Sequence, residues 1–329
     1  MVHWLAQASK AAATVRVGGP NSGHTVIDTH GARHVFRQVP AGAVLRGVQS
    51  LIGPGSYIDP EVLLLEIRQL GLTPNRLSID PHAVLVTDAA RIRERESRLE
   101  ERIGSTHSGT GAAVLMRAAR DGSGRFVTEI ESLRPFVHAT SERLRQLLDN
   151  SERVIVEGTQ GFGLSLIHSG AYPFVTSRDT SASAALAEAG LSPIDVDEVV
   201  LVIRTFPIRV GGNSGSLPYE IDWSTIAAEG GHDHDLSEFT SVTGRLRRVG
   251  RFDAGLVRQA LVVNAPSIVV LNHVDYIDHA ACATGLVTDR MAEFVRQVES
   301  EIGRRIDLVG TNRSDLVRWP SYRSSATVA

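Results

Sequence analysis

Residues 10–25, KAAATVRVGGPNSGHT, contain the pattern that decides the fold. The run from Thr14 to Val17 is β-branched and typical of a short buried strand. It ends in two glycines, a proline and an asparagine, which favour turns, and His24 follows within this flexible segment. In open α/β sheets, ligands bind beyond the carboxyl ends of the strands. This loop is therefore a candidate functional site.

Apolar strands of the same kind recur along the chain. Residues 153–163, RVIVEGTQGFG, contain an apolar strand that stops at Gly158. Residues 197–206, DEVVLVIRTF, and 266–275, PSIVVLNHVD, are continuous apolar runs typical of strands buried in a parallel sheet. Further strands are expected near 14–17, 24–28, 33–39 and 82–86 and at the start of IDLVGTNRS.

Helices are predicted between the strands. The best defined covers 60–70, with Asp59 as N-cap, Pro60 at the first helical position and Gly71 beyond the end. The other predicted helices span 3–12, 88–103, 138–150 and 288–303, whereas 104–111, GSTHSGTG, is too rich in Gly, Ser and Thr for regular structure. The alternation predicts an α/β fold with a mainly parallel central sheet and helices on both faces. We find no repeat or linker, and predict one domain with long loops over 1–329.

Composition excludes several classes of protein. With 34 basic and 37 acidic residues the net charge is −3, which gives no global attraction to nucleic acid or anionic lipid. Lys10 is the only lysine, so a Walker loop ending in Gly-Lys-Ser/Thr is excluded. Cys282 is the only cysteine, which excludes an intrachain disulfide and a cysteine-based metal site. No apolar run of about 18 residues and no signal-peptide pattern is found, so we expect a cytoplasmic protein without a membrane partner.

Five predicted strands are followed by glycine-rich or polar segments. They are Gly18–Thr25, Gly104–Gly111, Glu157–Gly161, Asn272–Asp275 and Gly310–Arg313. Each alone is better explained as a structural turn. Glycines also let backbone amides approach phosphate oxygens, and five such loops together favour a nucleotide-like ligand.

Three short motifs allow both a binding and a structural interpretation. LNHVD resembles the guanine-specific Asn-Lys-x-Asp pattern with His273 in the lysine position, but Asp275 is equally explained as a turn or helix cap. TGRLRR, residues 243–248, is either a solvated basic loop or a grip for carboxylate or phosphate. The histidines and aspartates of GHDHD, residues 231–235, are more often solvated than metal-binding.

A set of longer motifs resembles one enzyme family. In chain order the motifs are GGPNSGHT, IGPGSYIDPEVLLLEI, VEGTQGFGLSL, YPFVTS, FPIRVGG and VTGRLRRVG. From about residue 3 to residue 315 the chain is similar to adenylosuccinate synthetase, in the compact form of archaea and some phages. The resemblance implies a P-loop-NTPase-like fold and a homodimer. It also implies a ligase that uses GTP and Mg²⁺ to join L-aspartate to IMP through a 6-phosphoryl intermediate in purine biosynthesis.

The resemblance also assigns roles to individual residues. His24 matches the catalytic histidine, whose imidazolium would oppose the developing negative charge. The positions that hold the purine nucleotide are Asn21, Thr106, Arg120, Gln160, Thr176 and Arg245, of which Arg120 would reach the partner's site in the dimer. The aspartate positions are Thr243 and Arg247. The GTP positions are Thr25, His273, Asp275 and Gly310, and Gly23 would offer its backbone carbonyl to Mg²⁺.

The sequence departs from the family pattern in one large respect. The family begins with a strand and a Gly-Asp-Glu-Gly-Lys-Gly loop that carries its general base, and the first residues here match the helix directly after that loop. Either the true start lies upstream, or the chain is an N-terminally truncated, non-catalytic nucleotide-binding homologue. His107, Ala112 and Val242 also differ from the usual residues. The nucleotide therefore stays open between IMP and the dGMP used by a phage-like variant, which makes 2-amino-adenylosuccinate.

Overall fold

A computed structural model describes residues 1–241, 244–280, 286–312 and 315–319. The chain divides into two compact units. Unit 1 contains Met1–Val196, Gly212–Gly215 and Ser241–Gly244, and unit 2 contains Asp197–Gly211, Ser216–Thr240 and Arg245–Ala329. That the whole chain acts as one domain stays a prediction. Cys282 and Thr243 lie outside the described residues.

Unit 1 alternates strands and helices along the chain. Its elements are α1 Val2–Ala8, β1 Ala13–Arg16, β2 His24–Ile27, β3 Arg33–Phe36, β4 Gln49–Ile52, β5 Tyr57–Ile58, α2 Pro60–Leu70, β6 Leu77–Ile79, β7 Val84–Leu85, α3 Asp88–Glu96, α4 Leu99–Ile103, α5 Thr110–Ala119, α6 Thr140–Asp149, β8 Val154–Glu157 and α7 Ala182–Ala189. Short 3-10 turns at Ala41–Val44, Val127–Glu129, Glu131–Phe136, Phe162–Leu164 and Pro193–Asp195 connect them.

The main sheet of unit 1 is parallel, as predicted. Its four strands lie in the order β6-β4-β1-β8, and Val15 of β1 pairs with Leu51 on one side and Val156 on the other. β2 and β3 form a separate antiparallel ribbon, and β5 pairs with β7 in parallel. All four main strands therefore end at the same edge.

Helices cover both faces of this sheet. Successive side chains of a strand point to opposite faces, so neighbouring residues pack against different helices. Ile52 of β4 packs in a core with Leu63 and Ile67 of α2. Its neighbour Leu51 packs on the opposite side, with Leu144 of α6 and other buried residues of α6 and α7. The predicted architecture is confirmed in unit 1.

The caps predicted for the helix over 60–70 are confirmed in α2. The Asp59 side chain accepts a hydrogen bond of 3.3 Å from the Val62 amide, and Pro60 occupies the first turn. Gly71 ends the helix with φ of 57°, in the left-handed region that glycine adopts without strain.

The prediction of one helix over 88–103 is wrong. α3 ends at Glu96 and α4 starts at Leu99, because Arg98 adopts φ of 52°. The Ser97 hydroxyl donates to the Glu94 carbonyl at 2.6 Å and occupies an acceptor that a continuing helix would use. The strand predicted over 82–86 is also shorter, at Val84–Leu85.

Unit 2 has its own four-stranded sheet. Its elements are β9 Val200–Arg204, β10 Ile208–Val210, β11 Glu220–Ile221, α8 Trp223–Gly230, β12 Arg247–Gly250, α9 Ala254–Asn264, β13 Ile268–Asn272, a 3-10 turn at Val274–Tyr276, α10 Asp289–Ile302, β14 Leu308–Gly310 and β15 Leu316–Arg318. The sheet order is β15-β14-β13-β9, parallel except at the β15 edge. β10, β12 and β11 form a three-stranded antiparallel sheet.

The core of unit 2 lies between its main sheet and two helices. Val269 and Leu271 of β13 pack with Met291 and Val295 of α10, and Leu261 of α9 joins them. Four helices, α5, α7, α8 and α9, were not predicted from the sequence. The apolar periodicity of α7, α8 and α9 is weaker than that of α2, whereas α5 is as periodic as α2 and follows directly on the glycine-rich segment 104–111. No helix among the described residues is long and apolar enough to cross a membrane.

Candidate functional site

A buried ion pair joins the ends of two neighbouring strands in unit 1. Arg16 ends β1 and Glu157 ends β8, and their Nη1 and Oε1 atoms are 2.6 Å apart. The second guanidinium nitrogen of Arg16 donates to the Ser22 carbonyl at 2.7 Å, and Glu157 also accepts from the Ala41 amide at 2.7 Å. The pair thereby fixes the loop after β1, in which the candidate residues Asn21, Gly23 and His24 lie.

His24 begins β2 beside this ion pair. Its Nε2 lies 3.8 Å from Glu157 Oε1, and its ring meets Phe36 edge to face at 5.8 Å. The side chain is 17% exposed, and neither ring nitrogen makes a hydrogen bond to a described residue. Buried polar atoms are rarely left without a partner, so the two ring nitrogens keep His24 a candidate for contact with a ligand.

The surroundings of His24 favour its neutral form in the ligand-free protein. Burial, and then the nearby Arg16 guanidinium, lower the pKa of the imidazole well below 6.5. The predicted catalytic role of His24 as an imidazolium stays a prediction. A phosphate group close to the ring would supply negative charge and raise this pKa.

Three of the predicted loops converge around Gly18 and Gly19. A Cβ on Gly18 would overlap the Thr159 hydroxyl, next to the candidate Gln160, and a Cβ on Gly19 would overlap the Thr110 side chain. A Cβ on Gly111 would lie 3.8 Å from the Ser177 Cβ, next to the candidate Thr176. The loops after β1, before α5 and after β8 thus approach one another closely, as predicted for a shared site.

The loop that contains Thr106 is held by a carboxylate that sequence reasoning missed. Buried Glu94 accepts a 2.8 Å hydrogen bond from the Ser105 hydroxyl and another from the Gly109 amide. His107 stands where the family usually has glycine, and it has φ of 52°, a conformation that glycine adopts without strain. Its Nδ1 lies 3.1 Å from Glu100 Oε2.

The remaining unit 1 candidates differ in exposure. Thr176 is buried, and its amide donates to the Leu164 carbonyl at 2.9 Å. Gln160 is half-buried with φ of 67°. Arg120 is exposed and caps α5 with φ of 56°, while Thr25 is exposed on β2. Arg120 and Thr25 therefore stay accessible, as contacts to a partner or to a ligand would require.

A second charged hub lies in unit 2 and centres on Glu238. Its carboxylate pairs with Arg204, contacts Arg247 Nη1 at 3.1 Å and accepts from the Tyr276 hydroxyl at 3.0 Å. Burial raises the pKa of the Glu238 carboxyl. The nearby charges of Arg204 and His273 lower it, and the net effect is a pKa below the usual value of a glutamate. The proposed aspartate-binding Arg247 is thus oriented by an internal carboxylate.

Three other unit 2 candidates, His273, Asp275 and Gly310, lie at two adjacent strand ends. Asp275 is buried in the turn after β13, and His273 has φ of 63° with its ring 5.2 Å from Tyr276. Gly310 ends β14, where any Cβ would overlap the Asn272 side chain. Arg245 is exposed, and its amide donates to the Thr240 hydroxyl at 2.9 Å. Thr243 lies outside the described residues.

Several charged residues in these sites were missed by the sequence analysis. They are Arg16, Glu94, Glu157, Arg178, Glu188, Arg204 and Glu238. Arg178 donates to Thr159 at 3.0 Å and pairs with Glu188 at 2.5 Å, beside Gly18. One usable signal existed: Arg16 and Glu157 are charged residues inside the otherwise apolar runs TVRV and VIVE. A charge in such a run demands a partner.

A further cavity of unit 2 has a volume of about 770 Å³. It is lined by residues of α8, α9 and α10 and of the segments beside them, including Phe252, Phe294 and Arg258. None of the candidate residues lines it. In unit 1 a cavity of about 10 Å³, enough for one water molecule, lies behind the end of β1. The candidate side chains of unit 1 lie instead at the converging loops.

Parallel strands that end in glycine-rich loops, with arginines and carboxylates among them, define an α/β protein with a P-loop-like fold. The family model for adenylosuccinate synthetase matches residues 1–128 and 124–284. The chain therefore belongs to the adenylosuccinate synthetase family. The predicted family and its ligase class are confirmed.

Relatives and solved structures agree with this assignment. The adenylosuccinate synthetases of Methanococcus aeolicus and Methanocaldococcus jannaschii are 33% and 34% identical over 318 residues, 94% of this chain and 91% and 89% of theirs. The fully ligated enzyme of Plasmodium falciparum has the same fold, with a TM-score of 0.81 at 18% identity over 96% of both chains. The cyanophage S-2L succinoaminodeoxyadenylate synthetase, solved with dGMP and dATP, has a TM-score of 0.77 at 27% identity over 97% of this chain and 90% of its own.

Proposed function

We propose that this chain condenses L-aspartate with IMP to form adenylosuccinate in a GTP-dependent reaction of purine biosynthesis. The observation that carries the proposal is the pair of unbonded His24 ring nitrogens among converging glycine-rich loops. The archaeal relatives that carry the name adenylosuccinate synthetase support it. The proposal includes a homodimer and a cytoplasmic location.

The proposed chemistry has two steps. O6 of IMP attacks the γ-phosphorus of GTP while the N1 proton of IMP passes to solvent, and cleavage of the bond to the β-phosphate oxygen gives GDP and a 6-phosphoryl intermediate. The aspartate amine then attacks C6, phosphate leaves with the electrons of the C6–O bond, and the amine loses a proton to solvent. His24 lies in a partly buried position where a hydrogen bond to the reacting oxygen is worth more than in water. As negative charge develops at this oxygen, the neutral ring would donate its N–H to it in a hydrogen bond.

The other candidate residues of the two units would bind the reactants. Asn21, Thr106, Gln160, Thr176 and Arg245 would hold IMP, with Arg120 supplied by the partner subunit. Arg247 and Thr243 would grip the aspartate, since a guanidinium matches a carboxylate in two-point geometry. Thr25, His273, Asp275 and Gly310 would contact GTP. Asp275 would accept from the guanine N1–H and amine, which adenine does not offer.

The donor chemistry near Gly23 fits Mg²⁺. The Gly23 backbone carbonyl is an oxygen ligand, the type this ion takes, and Mg²⁺ usually also binds one or two carboxylates and substrate phosphate oxygens. The adjacent charge of Arg16 is compensated by Glu157 at 2.6 Å. When bound, Mg²⁺ would neutralise charge on the transferring phosphoryl group.

The test is an assay of the purified chain with IMP, aspartate, GTP and Mg²⁺. We expect adenylosuccinate by mass spectrometry, with one GDP and one phosphate formed per product. Leaving out aspartate or replacing GTP with ATP should abolish or strongly reduce product. Nucleotide binding without any ligation would overturn the proposal in favour of a non-catalytic nucleotide-binding homologue.

A second candidate substrate is dGMP. The cyanophage enzyme, which has the same fold at 27% identity, was solved with dGMP. In a competition assay containing equal IMP and dGMP, the ratio of the two products measures the preference. We expect adenylosuccinate to dominate, and a majority of the 2-amino deoxy product would assign the chain to the phage-like activity.

A further inference from the structure

Three histidines of unit 2 meet in space although they come from two distant segments. His232 and His234 follow α8, and His279 follows the turn after β13. Each offers one ring nitrogen, and these nitrogens all lie within 4.8 Å of one another. The ring centroids are 4.9 to 5.7 Å apart. The sequence indicated only a solvated GHDHD loop, because the third histidine is far away in the chain.

The tautomer of His232 is set by its surroundings. Its Nε2 lies 3.0 Å from the Asp275 backbone carbonyl, which can only accept, so Nε2 carries the proton. The Nδ1 atom therefore carries no proton, and its lone pair accepts a hydrogen bond of 3.3 Å from His279 Nδ1, whose proton a bound metal ion would replace. Two nitrogens bound to one tetrahedral zinc ion at about 2.05 Å are themselves about 3.3 Å apart. The spacing already present is that of two zinc ligands.

His234 is oriented in the same way. Its Nδ1 lies 3.1 Å from the Asp233 carboxylate, which leaves Nε2 as the nitrogen with a lone pair. Metal-binding histidines commonly donate their second ring N–H to a carboxylate or a backbone carbonyl, which fixes the ring and raises its basicity. Both arrangements occur here, at His234 and at His232.

We propose that His232, His234 and His279 form a binding site for a zinc ion. Imidazole ligands suit Zn²⁺, and three of them leave a fourth tetrahedral position for water. The ion would join the segment after α8 to the turn that carries Asp275, and so hold that turn in place. This proposal does not depend on the ligase activity.

The experiment uses the full chain without an affinity tag, dialysed first against a chelator and then against ZnCl₂. We expect about one zinc ion per chain by elemental analysis, and a rise in Tm because the ion binds the folded state. Substitution of Co²⁺ should give the visible absorption bands of a tetrahedral nitrogen-rich site.

Two variants and one control decide the result. His234→Ala changes a half-exposed side chain and should fold normally, and His279→Ala removes the ligand from the other segment. Each should weaken zinc binding at least about tenfold, since one of three protein ligands is lost. His30→Ala, an exposed histidine of unit 1, should bind as the wild type does. Wild-type zinc content near zero, or equal binding by all four proteins, would overturn the proposal.

Discussion

His24 combines a partly buried ring with nitrogens that the described protein leaves without hydrogen bonds. His24→Ala should lower kcat by about 10²–10³, because one charge-stabilising donor at the reacting oxygen is removed. The KM values should change little, since the contact strengthens only as charge develops. Steady-state kinetics of ligation measures both.

His30→Ala is the matched control, because His30 lies on the exposed turn between β2 and β3. It should retain wild-type turnover. Turnover of His24→Ala within a factor of a few of the wild type would refute the catalytic assignment.

The Arg16–Glu157 pair is buried on both sides, with side chains 5% and 7% exposed. Glu157→Gln should destabilise the protein by about 3–5 kcal/mol, because it leaves the Arg16 charge uncompensated. Urea denaturation monitored by circular dichroism measures the loss.

The double variant Arg16→Met with Glu157→Gln removes the charge and keeps an acceptor for the Ala41 amide. We expect it to be more stable than Glu157→Gln alone. Arg16→Met completes the double-mutant cycle. If the double variant loses as much unfolding free energy as Arg16→Met and Glu157→Gln lose together, the two side chains are not energetically coupled.

At the residue scale, the sequence predicted individual cap and candidate residues better than the ion pairs between distant residues. His24 was identified from its turn, and the caps Asp59 and Gly71 from local rules, because both depend on a few neighbouring residues. Glu157 lies 141 residues from Arg16. A pairing over that distance depends on strand order, which single-chain patterns do not specify.

Among the elements, the loop 104–109 depends on α3 through Glu94. The carboxylate accepts from both Ser105 and Gly109. Glu94→Gln keeps one acceptor and turns an amide N–H₂ toward the second donor, so one buried hydrogen bond is lost at a cost of about 1–3 kcal/mol. We expect KM for the purine nucleotide to rise about tenfold with a modest fall in stability.

Glu96→Gln is the control on the same helix, since Glu96 is exposed. It should leave the KM unchanged. An unchanged KM in Glu94→Gln as well would mean that the loop 104–109 does not hold the nucleotide.

Element types followed from the sequence more reliably than their continuity. The parallel strands β1, β8, β9 and β13 were predicted from continuous apolar runs. The break in the helix at Arg98 was not predicted. It is accompanied by a hydrogen bond from the Ser97 hydroxyl to the Glu94 backbone carbonyl. Charge patterning over 88–103 is compatible with either one helix or two.

For the whole molecule, the proposed dimer makes a prediction about mixed subunits. Arg120→Ala and His24→Ala should each be inactive alone. Co-expressed, they should form mixed dimers in which one site has an intact His24 and receives Arg120 from the other subunit. Because half of the dimers are mixed and one of two sites is intact, the activity should approach about a quarter of wild type.

The control pairs Arg120→Ala with the double variant Arg120→Ala/His24→Ala, which should restore nothing. Equal activities in the two mixtures would contradict a contribution of Arg120 across the dimer interface.

At this scale the sequence predicted the fold through family motifs and strand patterns together. It did not predict the grouping of His232, His234 and His279, or the hub around Glu238. Both arise where segments far apart in the chain meet, and neither leaves a mark on local periodicity.

Unit 1 includes Gly212–Gly215, and the Asn213 side chain donates to the carbonyls of Glu101 and Arg102 at the end of α4. A ribosome reaches Asn213 only 111 residues after Arg102. At synthesis rates of about 5–20 residues per second this delay is roughly 6–20 seconds. During translation, water must therefore hydrogen-bond to the carbonyls of Glu101 and Arg102. The Asn213 amide replaces this water only after most of the unit 1 sheet has left the ribosome.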